Sequence, residues 1–183
     1  MVYDNNYLKL APEYETTVSY HEFGDIVAAT AAGKDVSTME RVNRWVAGGR
    51  MVADHPVLGF GPNTFYTFYK KYSLASFRTY VSVNDEKSTV HCYYLLTCIE
   101  QGFVGFLIFM ALVFGVLIHG QRIFHETTHP IRKNIVMASL LSFCIILAFL
   151  LINDMVETDK VGAFFFLNMA ILINMDMKNR QEN

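Results

Sequence analysis

The alternation of polar and apolar residues changes character near residue 102. Before it, apolar side chains are interleaved with charged, polar and aromatic ones. From Phe103 to Ile118 no charged residue occurs. Asn134 to Ile152 is a second uncharged apolar run. Val161 to Met175 is a third, shorter run, with Lys160 and Lys178 placed to snorkel at its ends. With their flanks, such runs reach the roughly 20 residues that a helix needs to cross a bilayer. The short connections predict an antiparallel arrangement. Gly102, Gly105 and Gly115 would let the first span approach a neighbour closely.

Just ahead of the first run, Val90, Tyr93, Tyr94, Leu96, Ile99 and Phe103 recur at about helical spacing. This predicts a helix capped by Ser88 or Thr89, with His91 in its first turn and Glu100 near its end. Further upstream, Ser37 and Glu40 fit a capping box. The helix that it opens carries Met39, Val42, Val46 and Met51 or Val52 on one face, with Arg41, Arg44 and Arg50 elsewhere. Arg41 and Trp45 are i and i+4 neighbours on its surface. Pro56 requires the helix to stop by His55. In His55–Asn63, Gly59 and Gly61 permit tight turns and Pro62 stiffens the exit. The aromatic run from Phe65 to Tyr72 contains Lys70 and Lys71, a pairing suited either to a membrane interface or to packing in a small extracytoplasmic layer. Asp25–Ala32 predicts a short helix, Phe77–Val83 an extended segment and Asn84–Lys87 a polar turn.

Composition agrees with a membrane protein: 52% of residues are hydrophobic and 17% charged. A net charge of -2 gives no support for a nucleic-acid surface. Cys92, Cys98 and Cys144 form neither a disulfide framework nor a zinc pattern. Arg122, Arg132 and Lys133 lie between the first two spans and Lys178 and Arg180 follow the third, whereas Asp154, Glu157 and Asp159 lie between the second and third. The positive-inside rule therefore puts residues 119–133 and the tail in the cytoplasm, with residues 1–100 outside. Nothing before residue 100 would carry that part across, so the expectation is the C-terminal part of a longer multi-span protein or a chain that needs partner helices.

Three groups of residues suggest chemistry. Three arginines on one helix make either a solvated face or an anion clamp, because guanidinium pairs bidentately with phosphate oxygens. His91 sits at the polar edge of the first span, and an imidazole titrates near neutrality. His125-Glu-Thr-Thr-His129 matches the HExxH pattern of zinc proteases, but Pro130 disfavours a helical His129 and no third ligand is evident. The glycines of residues 59–61 are neither a P-loop nor a dinucleotide fingerprint.

In order, Arg41-Val-Asn-Arg-Trp45, His55-Pro-Val-Leu-Gly-Phe-Gly-Pro-Asn-Thr-Phe65, Thr89-Val-His91 and Glu100-Gln-Gly102 before a span resemble the O-antigen ligase and polymerase family of bacterial membrane proteins. The resemblance covers roughly residues 37–175, and the chain looks like the late periplasmic loop and final spans of such a protein. Cys92 stands where the family often has asparagine. The expected fold is an all-α integral membrane protein: a helical extracytoplasmic loop region followed by three transmembrane helices. Residues 1–36 form a polar segment and 37–101 a periplasmic loop region with motif helices. Residues 102–120, 134–153 and 161–177 are the transmembrane helices, with a cytoplasmic loop at 121–133, a periplasmic loop at 154–160 and a cytoplasmic tail at 178–183. The implied location is the bacterial inner membrane, with residues 1–100 facing the periplasm.

The resemblance implies transfer of a glycan from undecaprenyl diphosphate to a hydroxyl acceptor, a lipid A–core sugar in ligases or another glycan in polymerases. His91 would be the base and Arg41 would stabilise the leaving diphosphate. Arg44, Arg50, Lys70 and Lys71 would assist in substrate binding. No Asp-x-Asp metal motif occurs, which fits a metal-independent, inverting transferase without a cofactor. The alternatives are a membrane zinc metalloprotease acting through residues 125–129 and a non-catalytic membrane fragment.

Overall fold

The structure, a computed structural model, describes residues 36–74 and 89–182. The expected helix at 25–32, extended segment at 77–83 and turn at 84–87 lie outside the described residues. Among those described, every regular element is helical: α1 (Val36–Asp54), α2 (Phe65–Tyr72), α3 (Tyr93–Glu126), α4 (Pro130–Phe149), a 3-10 turn (Met155–Glu157) and α5 (Asp159–Glu182). The chain is thus an all-α protein with three helices long and apolar enough to cross a membrane. It divides into two compact units. Among the described residues, the first contains α1, α2, the segment up to His91 and Leu95–Phe103; the second contains Cys92–Tyr94 and the segment from Val104 onward.

In the first unit α1 ends at Asp54, where Pro56 forces the chain out of helical dihedrals. Ser37 lies inside the helix rather than at its N-cap. The buried stripe of α1 is also turned from the expected one. Met39, Asn43, Ala47 and Met51 are buried at i+4 spacing, together with Glu40 and Arg44. The reason is the neighbour: Gly48 packs close to the Leu95 and Ile99 side chains of α3, and polar groups of α1 meet backbone carbonyls just before α3. The helix after Val90 starts later than expected. Its N-cap is Cys92 rather than Ser88 or Thr89, which leaves His91 ahead of the first turn with φ 53°.

α3 continues through Gly102, but at that residue the backbone is non-helical (φ 66°, ψ -172°). The break frees the carbonyls of Ile99 and Glu100 from the helical ladder, and the loop from Pro56 takes up the released groups. Phe60 N–H donates to Ile99 O (2.9 Å), Gly61 N–H to Glu100 O (2.8 Å) and Phe103 N–H to Pro56 O (2.8 Å). Gly59 and Gly102 make this docking sterically feasible. A Cβ on Gly59 would lie 2.5 Å from the Glu100 carbonyl carbon, and one on Gly102 would lie 2.2 Å from Val57 O. Both residues also have positive φ, which L side chains resist.

In the second unit, Val113, Phe143, Ile146, Leu150 and Phe165 form one buried cluster, and Ile123, Val136, Leu172 and Met175 another. Tyr93 N–H donates to the carbonyls of Leu150 (3.0 Å) and Asn153 (3.3 Å), and Tyr94 Oη donates to Leu147 O (3.0 Å). Much of the remaining apolar surface faces outward: Leu107, Ile108 and Ile118 are each more than 60% exposed. That is the pattern of helices solvated by lipid. On α3 a Cβ at Gly120 would meet the Leu140 side chain at 2.5 Å, whereas Gly115 faces open space.

Candidate functional site

The polar unit is built around two fixed points, the carboxylate of Glu100 and the peptide leading into His91. Glu100 is 6% exposed. Its Oε2 accepts from Asn63 N–H (2.8 Å), and its Oε1 accepts from Thr64 N–H (2.9 Å) and Phe65 N–H (3.1 Å). These amides open α2, an eight-residue helix whose Thr64 cap makes no side-chain capping bond. The orphan donors of a helix start and its positive dipole end both favour an anion there. At the other end of α2, Arg50 Nη1 donates to Tyr72 O (3.3 Å). Lys70 and Lys71 lie in the last turn, with ammonium groups 5.4 Å and 5.8 Å from the Tyr66 and Phe68 ring centroids. The short helix therefore has an acid at its start and cations at its end, the arrangement its dipole favours. Tyr72 donates a hydrogen bond to Asp54 Oδ2, and this bond, followed by burial and the nearby charge, holds the phenol pKa above 10.0.

The second fixed point involves α1. Arg44 is 3% exposed, and its Nη1 donates to Thr89 O (2.9 Å). Its guanidinium lies 5.8 Å from the Tyr69 ring centroid, and its Nε lies 3.7 Å from Glu40 Oε2. Trp45 Nε1 donates to Val90 O (3.0 Å). Two consecutive carbonyls before His91 are thus held by two consecutive side chains of α1. His91 then takes a left-handed conformation that costs a non-glycine residue free energy and persists where surrounding contacts enforce it. Arg41 is half-buried on the same helix, one turn before Trp45. Of the arginines and lysines considered, Arg44 faces inward, Arg50 braces α2, and Lys70 and Lys71 are exposed beside aromatic rings. Neither the anchoring bond of Trp45 nor the three-amide role of Glu100 is visible in helical spacing, which shows Trp45 only as a surface neighbour of Arg41 and Glu100 only near a helix end. The signal for Glu100 was its position two residues before a glycine that could break the helix.

The HExxH stretch does not form a helical metal site. His125 and Glu126 end α3, Thr127 is already extended, and His129 is the extended N-cap of α4 with Pro130 behind it. The buried Thr127 hydroxyl instead donates to Ile123 O and accepts from Asn179 Nδ2. Asp176 pairs with Arg180 at 2.9 Å and His119 at 3.4 Å. Among the described residues no group of three or more His, Cys, Asp or Glu side chains is arranged to hold a metal ion.

No curated protein and no solved structure matches the chain. The O-antigen ligase family profile matches residues 13–110, a stretch that includes α1, the Pro56 loop, α2, His91, Glu100 and the Gly102 break. Since that match covers more than half of the residues, this membrane protein belongs to the O-antigen ligase family.

Proposed function

We propose that the polar unit is the reaction centre of a surface-glycan glycosyltransferase, moving a glycan from undecaprenyl diphosphate to a hydroxyl acceptor. Family membership supports a role in ligation or polymerisation of such glycans. In this reading the His91 imidazole takes the proton of the acceptor hydroxyl as its oxygen attacks the anomeric carbon. The bond from that carbon to the diphosphate oxygen breaks, its electron pair leaves on the diphosphate, and the imidazolium later returns its proton to water. One displacement inverts the anomeric centre, and retained stereochemistry in the product would rule it out. Arg41 stabilises the charge that develops on the departing diphosphate. Lys70, Lys71 and Arg50 provide further cations, and Arg44 acts by holding the peptide that carries His91. The acceptor is a lipid A–core sugar or another glycan, and the site faces the periplasm from the inner membrane.

The observation that carries this reading is the bracing of His91: an enforced left-handed residue next to two carbonyls tied to the helix that bears Arg41. Evolution of such strain is easier to understand for a group that must be aimed than for a surface histidine. The test is glycan transfer by the full-length protein carrying His91→Ala or Arg41→Ala. Loss of a general base costs about 10²–10⁴-fold in rate, and loss of a transition-state cation about 10²–10³-fold. Transfer at the wild-type rate by either variant removes that residue's role.

A further inference from the structure

Among the described residues of the first unit, the exposed large apolar side chains are Trp45, Val57, Leu58 and Phe103. The last three belong to one place. Phe103 N–H is bonded to Pro56 O, and the backbone of Val57 and Leu58 abuts Gly102 so closely that a Cβ there would clash with both. Val57 is 60%, Leu58 73% and Phe103 49% exposed. The loop cannot fold these side chains inward, because its backbone is tied at Pro56, Phe60 and Gly61 to the broken turn of α3. Phe103 is also the first residue of the uncharged run that continues as the most apolar candidate span, of mean hydropathy 2.4.

We infer that the Val57–Leu58 tip is a membrane anchor, inserted into the acyl region of the bilayer at the depth where the spanning helix enters it. The occupant is lipid rather than protein because the tip is tied to Phe103, itself exposed, with which the uncharged membrane-spanning run begins in the sequence. Two adjacent apolar residues on a turn, held outward at the start of a span, insert for the same reason that apolar faces of interfacial segments do. The nearby aromatic rings and exposed Lys70 and Lys71 on α2 have the composition of an interfacial belt. A consequence is that the Glu100-capped loop is referenced to the membrane surface, where a lipid-linked substrate must be met. The inference itself stands on exposure and backbone contacts and does not require the proposed reaction.

The test uses the full chain with Cys92→Ala, Cys98→Ala and Cys144→Ala, reconstituted in phosphatidylethanolamine–phosphatidylglycerol vesicles. Single nitroxide labels are placed through Val57→Cys, Leu58→Cys, Leu112→Cys as a lipid-facing reference and Thr67→Cys as a polar reference. Dissolved oxygen should relax the labels at 57 and 58 several-fold more than a water-soluble nickel chelate does, as at 112, with the reverse at 67. Nickel-dominated relaxation at 57 or 58 would put the tip in water and overturn the inference. Exclusion of both reagents would mean that protein covers the tip, which overturns it equally.

Discussion

Helix α2 and the part of α3 beyond Gly102 solve the same problem by opposite means. α2 has only eight residues, far below the length at which an isolated helix is stable in water. It is held by charge and hydrogen bonding: three amides on one buried carboxylate at its start, and a guanidinium on its last carbonyl. The later part of α3 needs no such help, because in lipid every backbone group is satisfied within the helix. Its buried contacts are apolar, around Val113 in one cluster and Ile123 in the other. The polar unit therefore concentrates its stability in a few replaceable groups, whereas the bundle spreads it over many.

Glu100→Ala should break that comparison most strongly. It leaves three amides without their acceptor and removes a charge-assisted network worth about 3–5 kcal/mol. The thermal unfolding midpoint should fall, and protease should cut within residues 56–65. Glu100→Gln should recover part of the loss, since one of its terminal atoms still accepts. If Glu100→Ala leaves loop protection unchanged, the carboxylate does not organise the loop.

Phe143→Ala probes the bundle, where Phe143 is fully buried against Phe165. In a water-soluble core this change costs about 3–5 kcal/mol. In lipid the transfer part disappears and only packing is lost, so the expected cost is about 2 kcal/mol. A fall in detergent-resistant stability larger than that of Glu100→Ala would reverse the ranking of the two regions.

Trp45→Phe removes one hydrogen bond, worth about 1 kcal/mol. Its effect on transfer should exceed its effect on folding, because misaiming a catalytic group is amplified in rate; about a tenfold fall is expected. A stability loss with unchanged turnover would make Trp45 a purely structural contact. The smallest effect belongs to Gly115→Ala. With nothing within 4 Å and a better helix former introduced, stability should stay level or rise by less than about 1 kcal/mol. A marked loss there would mean that another helix packs against that face in the membrane.

Local pattern was enough to determine a great deal. Periodicity and uncharged runs gave away the three membrane helices, and Pro56 the end of α1, because they depend on residues within a few turns of one another. The broken HExxH followed from Pro130 in the same way. What tertiary structure alone decided involves partners far apart in sequence. Glu100 reaches amides 35 to 37 residues away, and Arg44 and Trp45 reach carbonyls 45 residues away. The late start of α3, the left-handed His91, the turned face of α1 and the choice of Gly120 over Gly115 all follow from such neighbours. A residue's spacing records which face of its own helix it occupies; it carries no record of which distant backbone will be waiting there.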